Sequence, residues 1–439
     1  MRAHGKTPSS TPGSGSGGAE AAGTARAGLD RSGTERTGMD RATHNLVREG
    51  PLKGRGAASY VRGRFEKTVA EAEDDGWGSV YADDAPDAEV AEIQRDISAA
   101  PGQLRTQVTE ERARSIVSRN QSPDIPFSQS VNPYRGCEHG CVYCFARPSH
   151  AYLDLSPGLD FETKLYAKSN AAELLRRELA KPSYRCSPIS LGINTDAYQP
   201  IERRWRITRQ LLEVLAEHRH PVGLITKSAL VLRDLDLLAP MAAQGLVHVY
   251  VSITTLDNTL SAKLEPRAAA PHTRLKTVRA LHEAGVPVGT MVAPVIPTIT
   301  DADLEHILEA AREHGAQNAG YVLLRLPHEL KEVWREWLDL HYPERAAHAM
   351  SLIRQMRGGK DYDSAFGRRM RGEGPFADLI ALRFAKAYKR LGFARLPALE
   401  TGRFVPPPAP VRARAGARSA RTGAKTHTDA EGPLQGALF

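Results

Sequence analysis

Between residues 170 and 325 the chain alternates short, nearly uniform apolar runs with longer stretches in which apolar side chains recur every three or four positions. The short runs read as strands buried on both faces, and the longer ones as amphipathic helices. Ile189-Ser190-Leu191-Gly192-Ile193 predicts one strand, and others are expected over 222–226, 246–254, 286–293 and 320–325. Helices are expected over 170–181, with Leu174, Leu175 and Leu179 on one face, and over 206–218, 230–243, 272–284 and 301–314. Ser169 and Asn170 stand where a helix needs its first N–H groups capped. Gly285 and Gly315 stand where a left-handed residue closes one. A further strand near 128–132 brings the count to six βα units. Strands joined by crossover helices make a parallel sheet covered by helices, so the fold class is α/β.

Outside this core the pattern changes. Residues 1–58 are Gly, Ser, Thr, Ala and Arg with few large apolar side chains, too little to offset the entropy of ordering, and are expected to be disordered. A partly ordered segment over 59–121 surrounds the acidic run Glu71-Ala72-Glu73-Asp74-Asp75. The core domain spans 122–327. Beyond it, Trp334, Trp337, Leu338, Leu352, Ile353 and Met356 have helical spacing and a last helix is expected over 375–390, giving a helical cover over 328–400. Residues 401–439 read as a disordered basic tail.

The 439 residues carry a net charge of +8. Much of the excess lies in the tail, where Arg403, Arg412, Arg414, Arg418, Arg421 and Lys425 are opposed only by Asp429 and Glu431 after residue 402. A solvated basic end is the plain reading, and an arm facing nucleic acid the alternative. No apolar run reaches membrane-span length, and Met1-Arg2-Ala3-His4-Gly5-Lys6 opens without an apolar signal core, so a cytoplasmic protein is expected.

Three of the four cysteines, Cys137, Cys141 and Cys144, lie in the loop Asn132-Pro133-Tyr134-Arg135-Gly136-Cys137-Glu138-His139-Gly140-Cys141-Val142-Tyr143-Cys144-Phe145-Ala146-Arg147-Pro148. Thiolates are soft ligands, and three of them converging from one loop can hold three irons of a 4Fe-4S cluster and leave the fourth open. Gly136 and Gly140 let the backbone curl. A zinc site, completed by His139, His150 or Cys186, and an oxidised cysteine pair are the alternatives. Thiols kept for iron suit a reducing compartment.

At these residues the chain resembles the radical SAM superfamily, whose signature is Cys-x3-Cys-x2-Cys with an aromatic before the last cysteine, here Tyr143. Asn-Pro-Tyr-Arg-Gly-Cys-Glu-His-Gly-Cys and Cys-Phe-Ala-Arg resemble the spore photoproduct lyase-like branch. The resemblance runs from about Ser122 to Leu326. It implies a partial (β/α)6 barrel, a 4Fe-4S cluster and S-adenosylmethionine (SAM). The implied activity is reductive cleavage of SAM to a 5'-deoxyadenosyl radical that abstracts hydrogen from a substrate. The implied partners are a reductase or flavodoxin/ferredoxin-type electron donor and, by analogy with the lyase, nucleic acid. The hydrogen-donating cysteine of the lyase has no counterpart at Ile193-Asn194-Thr195, and Cys186 lies before that strand, as an inert thiol. An iron-sulfur nucleic-acid-binding or redox-sensing module without radical catalysis is the alternative.

In a parallel barrel the active site lies at the C-terminal ends of the strands, so the polar residues there are candidates for SAM contacts. Lys227 suits its carboxylate. Thr195, Ser252 and Glu265 suit its amine or ribose hydroxyls, and Arg267 is a second anion partner. Tyr143 is expected near the adenine or cluster. Arg135, Arg147, Arg203, Arg204 and Arg206 would supply phosphate contacts if they shared a face.

Overall fold

The computed structural model describes residues 53–66 and 104–408. In chain order its strands are β1 (Gln107–Glu111), β2 (Val117–Arg119), β3 (Gln129–Val131), β4 (Tyr134–Arg135) and β5 (Lys164–Lys168). There follow β6 (Ile189–Leu191), β7 (Val222–Thr226), β8 (Val247–Ser252), β9 (Val288–Val295) and β10 (Asn318–Leu323). The main sheet has the order β10-β9-β8-β7-β6-β3-β2. The six strands from β3 to β10 are parallel, each hydrogen-bonded to the next, and β2 pairs antiparallel with β3. Since β10 and β2 are the two edges, the sheet is open, and its six βα units form the partial barrel expected from the sequence.

Burial explains the sequence pattern. Leu191, Leu224, Val249, Val251 and Val288 are buried in the sheet, and Leu211, Leu212 and Leu215 bury one face of helix Ile207–Glu217. Each such side chain contributes roughly 1.5–3 kcal/mol over leaving it exposed. Helices Ala171–Leu179, Pro271–Glu283 and Leu304–Glu313 also lie where periodicity placed them. The expected helix 230–243 starts as a 3-10 turn, Ala229–Asp234, capped by the Ser228 hydroxyl accepting from Leu230 N–H, and becomes α-helical over Leu235–Ala242.

Several elements went unanticipated, two of which flank the site. Helix Asn258–Leu264 follows β8, its start fixed by Asp257 accepting from the N–H groups of Thr259 and Leu260. A small sheet of order β1-β5-β4 flanks the cysteine loop. The cover is built by helices Leu330–His341, Pro343–Gln355 and Pro375–Arg390, with Trp334 and Trp337 stacked at 5.0 Å and buried.

Both expected disordered ends need correction where they are described. Ala57, Ser59 and Val61 are buried, and Ser59 C=O accepts from Leu159 N–H at 3.1 Å, so the chain is packed from before residue 58. What holds it is hydrogen bonding, by the backbone N–H groups of Gly56 and Ala57 and by the Arg55 side chain, which needs no large apolar side chain. Likewise Phe404 packs against Tyr184 and His220, and Val405 N–H donates to His218 C=O. The remainder of both calls, the acidic run at 71–75 and the arginines beyond 409 lie outside the described residues. No helix among the described residues is long and apolar enough to cross a membrane.

Candidate active site

The cysteine loop leaves β4 at the C-terminal end of the parallel sheet. Its curl rests on Gly136 and Gly140, both at positive φ (73° and 67°). A Cβ at Gly140 would lie 2.6 Å from Glu162 Oε2, and one at Gly136 would lie 2.5 Å from Leu165 Cδ2, so the space as well as the dihedral calls for glycine. The backbone is pinned at several points. Cys137 N–H donates to Phe161 C=O, Val142 N–H to Leu264 C=O, and Gln199 clamps both Glu138 N–H (2.8 Å) and Gly136 C=O (3.1 Å).

Arg147 anchors the loop from within. It is fully buried, donating from Nε to Cys141 C=O at 2.9 Å and from Nη2 to Gly140 C=O at 3.0 Å, and it pairs with Glu162. Glu162 in turn accepts the N–H groups of Gly56 and Ala57 at 3.0 and 2.8 Å. One buried ion pair thus joins the loop to the N-terminal segment. Neither partner was singled out as a pair from the sequence, because nothing local links residues fifteen apart across a turn.

Cys137 and Cys141 are buried, Cys144 partly so, and none forms a disulfide. Burial pushes all three thiols up, and at Cys137 the charges of Asp196, Cys141 and Cys144 add to it. Cys186, before β6, is at the opposite end of the strands, its thiol pushed up to about 11 by burial. Among the described residues no three His, Cys, Asp or Glu side chains close around a single-ion position. His139, one of the residues considered for zinc, faces Asp196 at 3.4 Å instead. Asp196 also accepts from the Thr226 hydroxyl and Lys227 N–H. Although burial favours its neutral form, His139 and these donors hold it at about 2.

The sequence-predicted contacts divide into two groups. Lys227 stands at the end of β7 with Nζ 5.8 Å from the Tyr143 ring centroid, and its charge acts on Cys141 and Cys144. It has no carboxylate within 4 Å among the described residues. Ser252 is buried at the end of β8, and Thr195 is buried with its hydroxyl on Tyr134 C=O at 3.3 Å. Glu265 and Arg267 are otherwise engaged. Glu265 is buried, pairs with Arg274, and accepts from the hydroxyls of Tyr143 and Thr254. Arg267 pairs with Glu138 at 2.9 Å and donates its N–H to His139 C=O. Both therefore support the loop through these contacts. Tyr143 is tied to the same network and packs between the loop and Lys227.

Of the arginines proposed for phosphate, Arg147 is buried and Arg135 is bound to Glu111. Arg203, Arg204 and Arg206 are exposed around the single turn Glu202–Trp205 and have no acidic partner among the described residues. Arg203 also lines a cavity of about 250 Å³ with His139, Tyr198, Ser228, Arg267 and Thr273.

The radical SAM superfamily model matches residues 131–311, from the end of β3 to beyond β9. An uncharacterized protein of Mycobacterium tuberculosis is 39% identical over 233 residues, which cover 53% of this chain and 68% of that protein. An uncharacterized protein of Methanocaldococcus jannaschii is 26% identical, over 49% of this chain and 76% of its own. Among solved structures, a spore photoproduct lyase variant with bound AdoMet and dinucleoside spore photoproduct aligns at 14% identity over 65% of this chain and 80% of its own, with a TM-score of 0.48. The chain belongs to the radical SAM superfamily. It is an enzyme of that class.

Proposed function

We propose that the protein holds a 4Fe-4S cluster on Cys137, Cys141 and Cys144, binds SAM beside it, and uses the pair to take a hydrogen atom from a substrate. The observation that carries this reading is the loop itself. Three thiols on one eight-residue stretch, set by two left-handed glycines at the C-terminal end of a parallel sheet, have no fourth cysteine in that loop. This donor set suits a cubane, which takes its thiolates on different irons, better than a single ion needing all its ligands about one point. When bound, the two groups supply reductive cleavage of the sulfonium and hydrogen-atom abstraction.

The chain's own tasks are placement and exclusion of water. Lys227, with no carboxylate within 4 Å among the described residues, would take the carboxylate of SAM, and Ser252 and Thr195 would meet its amine or ribose hydroxyls. Tyr143, fixed through its hydroxyl by Glu265 and Thr254, keeps the third cysteine and Lys227 in register. Asp196, held ionised, orients His139 and the turn after β7. A flavodoxin- or ferredoxin-type donor would supply the electron. The exposed Arg203, Arg204 and Arg206 support a phosphate-bearing substrate such as nucleic acid. The test is anaerobic reconstitution with iron and sulfide, reduction, and addition of SAM. Formation of 5'-deoxyadenosine is expected, and its loss in Cys141→Ser.

A further inference from the structure

Six arginines of the described chain are buried, and three of them, Arg55, Arg325 and Arg357, have no carboxylate within 4 Å among the described residues. Arg147, Arg274 and Arg369 each face a carboxylate, from Glu162, Glu265 and Asp124, and Arg55 is bonded to Glu162 C=O, Leu104 C=O and the Thr106 hydroxyl. Arg325, two residues past the end of β10, and Arg357, after helix Pro343–Gln355, have no carboxylate within 4 Å among the described residues. Arg357 donates to two carbonyls, of Leu324 and Arg368. Among the described residues Arg325 has only two hydrogen-bond contacts, both weak and neutral, to Met370 Sδ at 3.5 Å and the Tyr362 hydroxyl at 3.4 Å. The Nε–H groups of both arginines are buried without an acceptor among the described residues.

Their surroundings make this costly. Arg325 is 7% exposed and Arg357 1%. The two charges act on each other: burial, then the charge of Arg325, pushes Arg357 down to about 10, against a smaller opposing effect of Tyr362 and of Asp363, which is itself paired with Arg368. A buried charge without a counter-charge is among the most unfavourable arrangements in a fold, and a guanidinium with free N–H donors matches a planar or tetrahedral oxyanion in bidentate fashion. The Arg325 guanidinium carbon lies 5.0 Å from the ring centroid of Phe145, the residue that follows the third cysteine. The uncompensated charge therefore sits at the mouth of the last strand, beside the loop.

We propose that Arg325, backed by Arg357 and Tyr362, is an oxyanion anchor that binds a phosphate or carboxylate group of the substrate next to the cysteine loop. This rests on the radical SAM reading for what the substrate undergoes there. The anchor itself rests only on the unpaired arginines.

The anchor is tested on the reconstituted full-length protein. Titration with inorganic phosphate at constant ionic strength should raise the melting temperature of the wild type, and Arg325→Met should abolish the rise. Arg325→Lys, which keeps the charge but not the fork, should need at least tenfold more phosphate for the same shift. In phosphate-free buffer Arg325→Met should melt no lower than the wild type, because it removes an unpaired buried charge. A merely structural arginine would give the opposite sign. SAM affinity should be the same in Arg325→Met and the wild type. No phosphate response in the wild type, or an equal response in Arg325→Met, overturns the proposal. So does a loss of SAM affinity in that variant, which would make the cofactor's own carboxylate the bound anion. Phosphate binding with no 5'-deoxyadenosine formed would instead overturn the radical reading and leave the anchor standing.

Discussion

Arg147 and Glu162 form an ion pair with both side chains fully buried, and through it the cysteine loop and residues 53–61 are held by the same two charges. Removing one partner strands the other. Glu162→Ala should cost about 3–5 kcal/mol, the usual penalty for an uncompensated buried charge. Urea unfolding checks this. A loss under about 1 kcal/mol would mean that the pair does not hold the loop in place.

The glycines give a sharper comparison. Gly140→Ala places a Cβ 2.6 Å from Glu162 Oε2 at a φ of +67°, whereas Gly285→Ala, at +75°, meets nothing within 4 Å. Both should pay the left-handed cost of about 1–2 kcal/mol. Gly140→Ala should in addition lose most of its iron on reconstitution, measured as iron per chain, while Gly285→Ala retains it. Equal iron in the two variants would contradict the packing argument.

Lys227 and Arg267 separate a ligand contact from a scaffold contact. Lys227→Ala should weaken SAM binding at least tenfold, corresponding to about 1.5–3 kcal/mol for a charge-assisted hydrogen bond. Arg267→Ala removes a partly exposed pair with Glu138 and should leave the dissociation constant within about twofold, since such pairs contribute at most about 1 kcal/mol. Anaerobic equilibrium dialysis with labelled SAM distinguishes them, and the reverse order would exchange their roles.

A pH effect follows from His220, buried between Tyr184 and Phe404 and bonded to the Tyr184 hydroxyl at 2.8 Å. Burial lowers it to about 4. The folded value lies below the unfolded one near 6.5, so the stability from keeping it neutral is complete above about pH 6.5 and is lost as pH falls towards 4. That loss is on the order of 3 kcal/mol. His220→Asn should show a shallower decline of the urea midpoint across this window, and parallel curves for the two proteins would contradict the assignment.

Much of the fold was legible because its signals are local. The spacing of Leu174, Leu175 and Leu179, and the apolar runs of β6 to β10, predict element type without reference to the rest of the chain. Helix Asn258–Leu264 was missed although Asp257 marks its start, because seven residues show barely two turns of periodicity. The order at 53–58 was missed for a different reason: Gly56 and Ala57 are held through backbone N–H groups, which leave no trace in composition. In the proposed site, the cysteines, Tyr143 and Lys227 are candidates by motif and strand end alone. That Glu265 already belongs to Arg274, and Arg267 to Glu138, could not, since pairing depends on which strand ends the fold brings together. The unpaired state of Arg325 is legible only in three dimensions.

The most direct measurement is iron and nucleoside analysis of the anaerobically reconstituted protein. Near four irons and four sulfides per chain are expected for a cubane, with 5'-deoxyadenosine formed on reduction with SAM and both lost together in Cys137→Ser. A preparation that binds one zinc through these cysteines, or that holds iron but leaves SAM intact under reduction, would contradict the account.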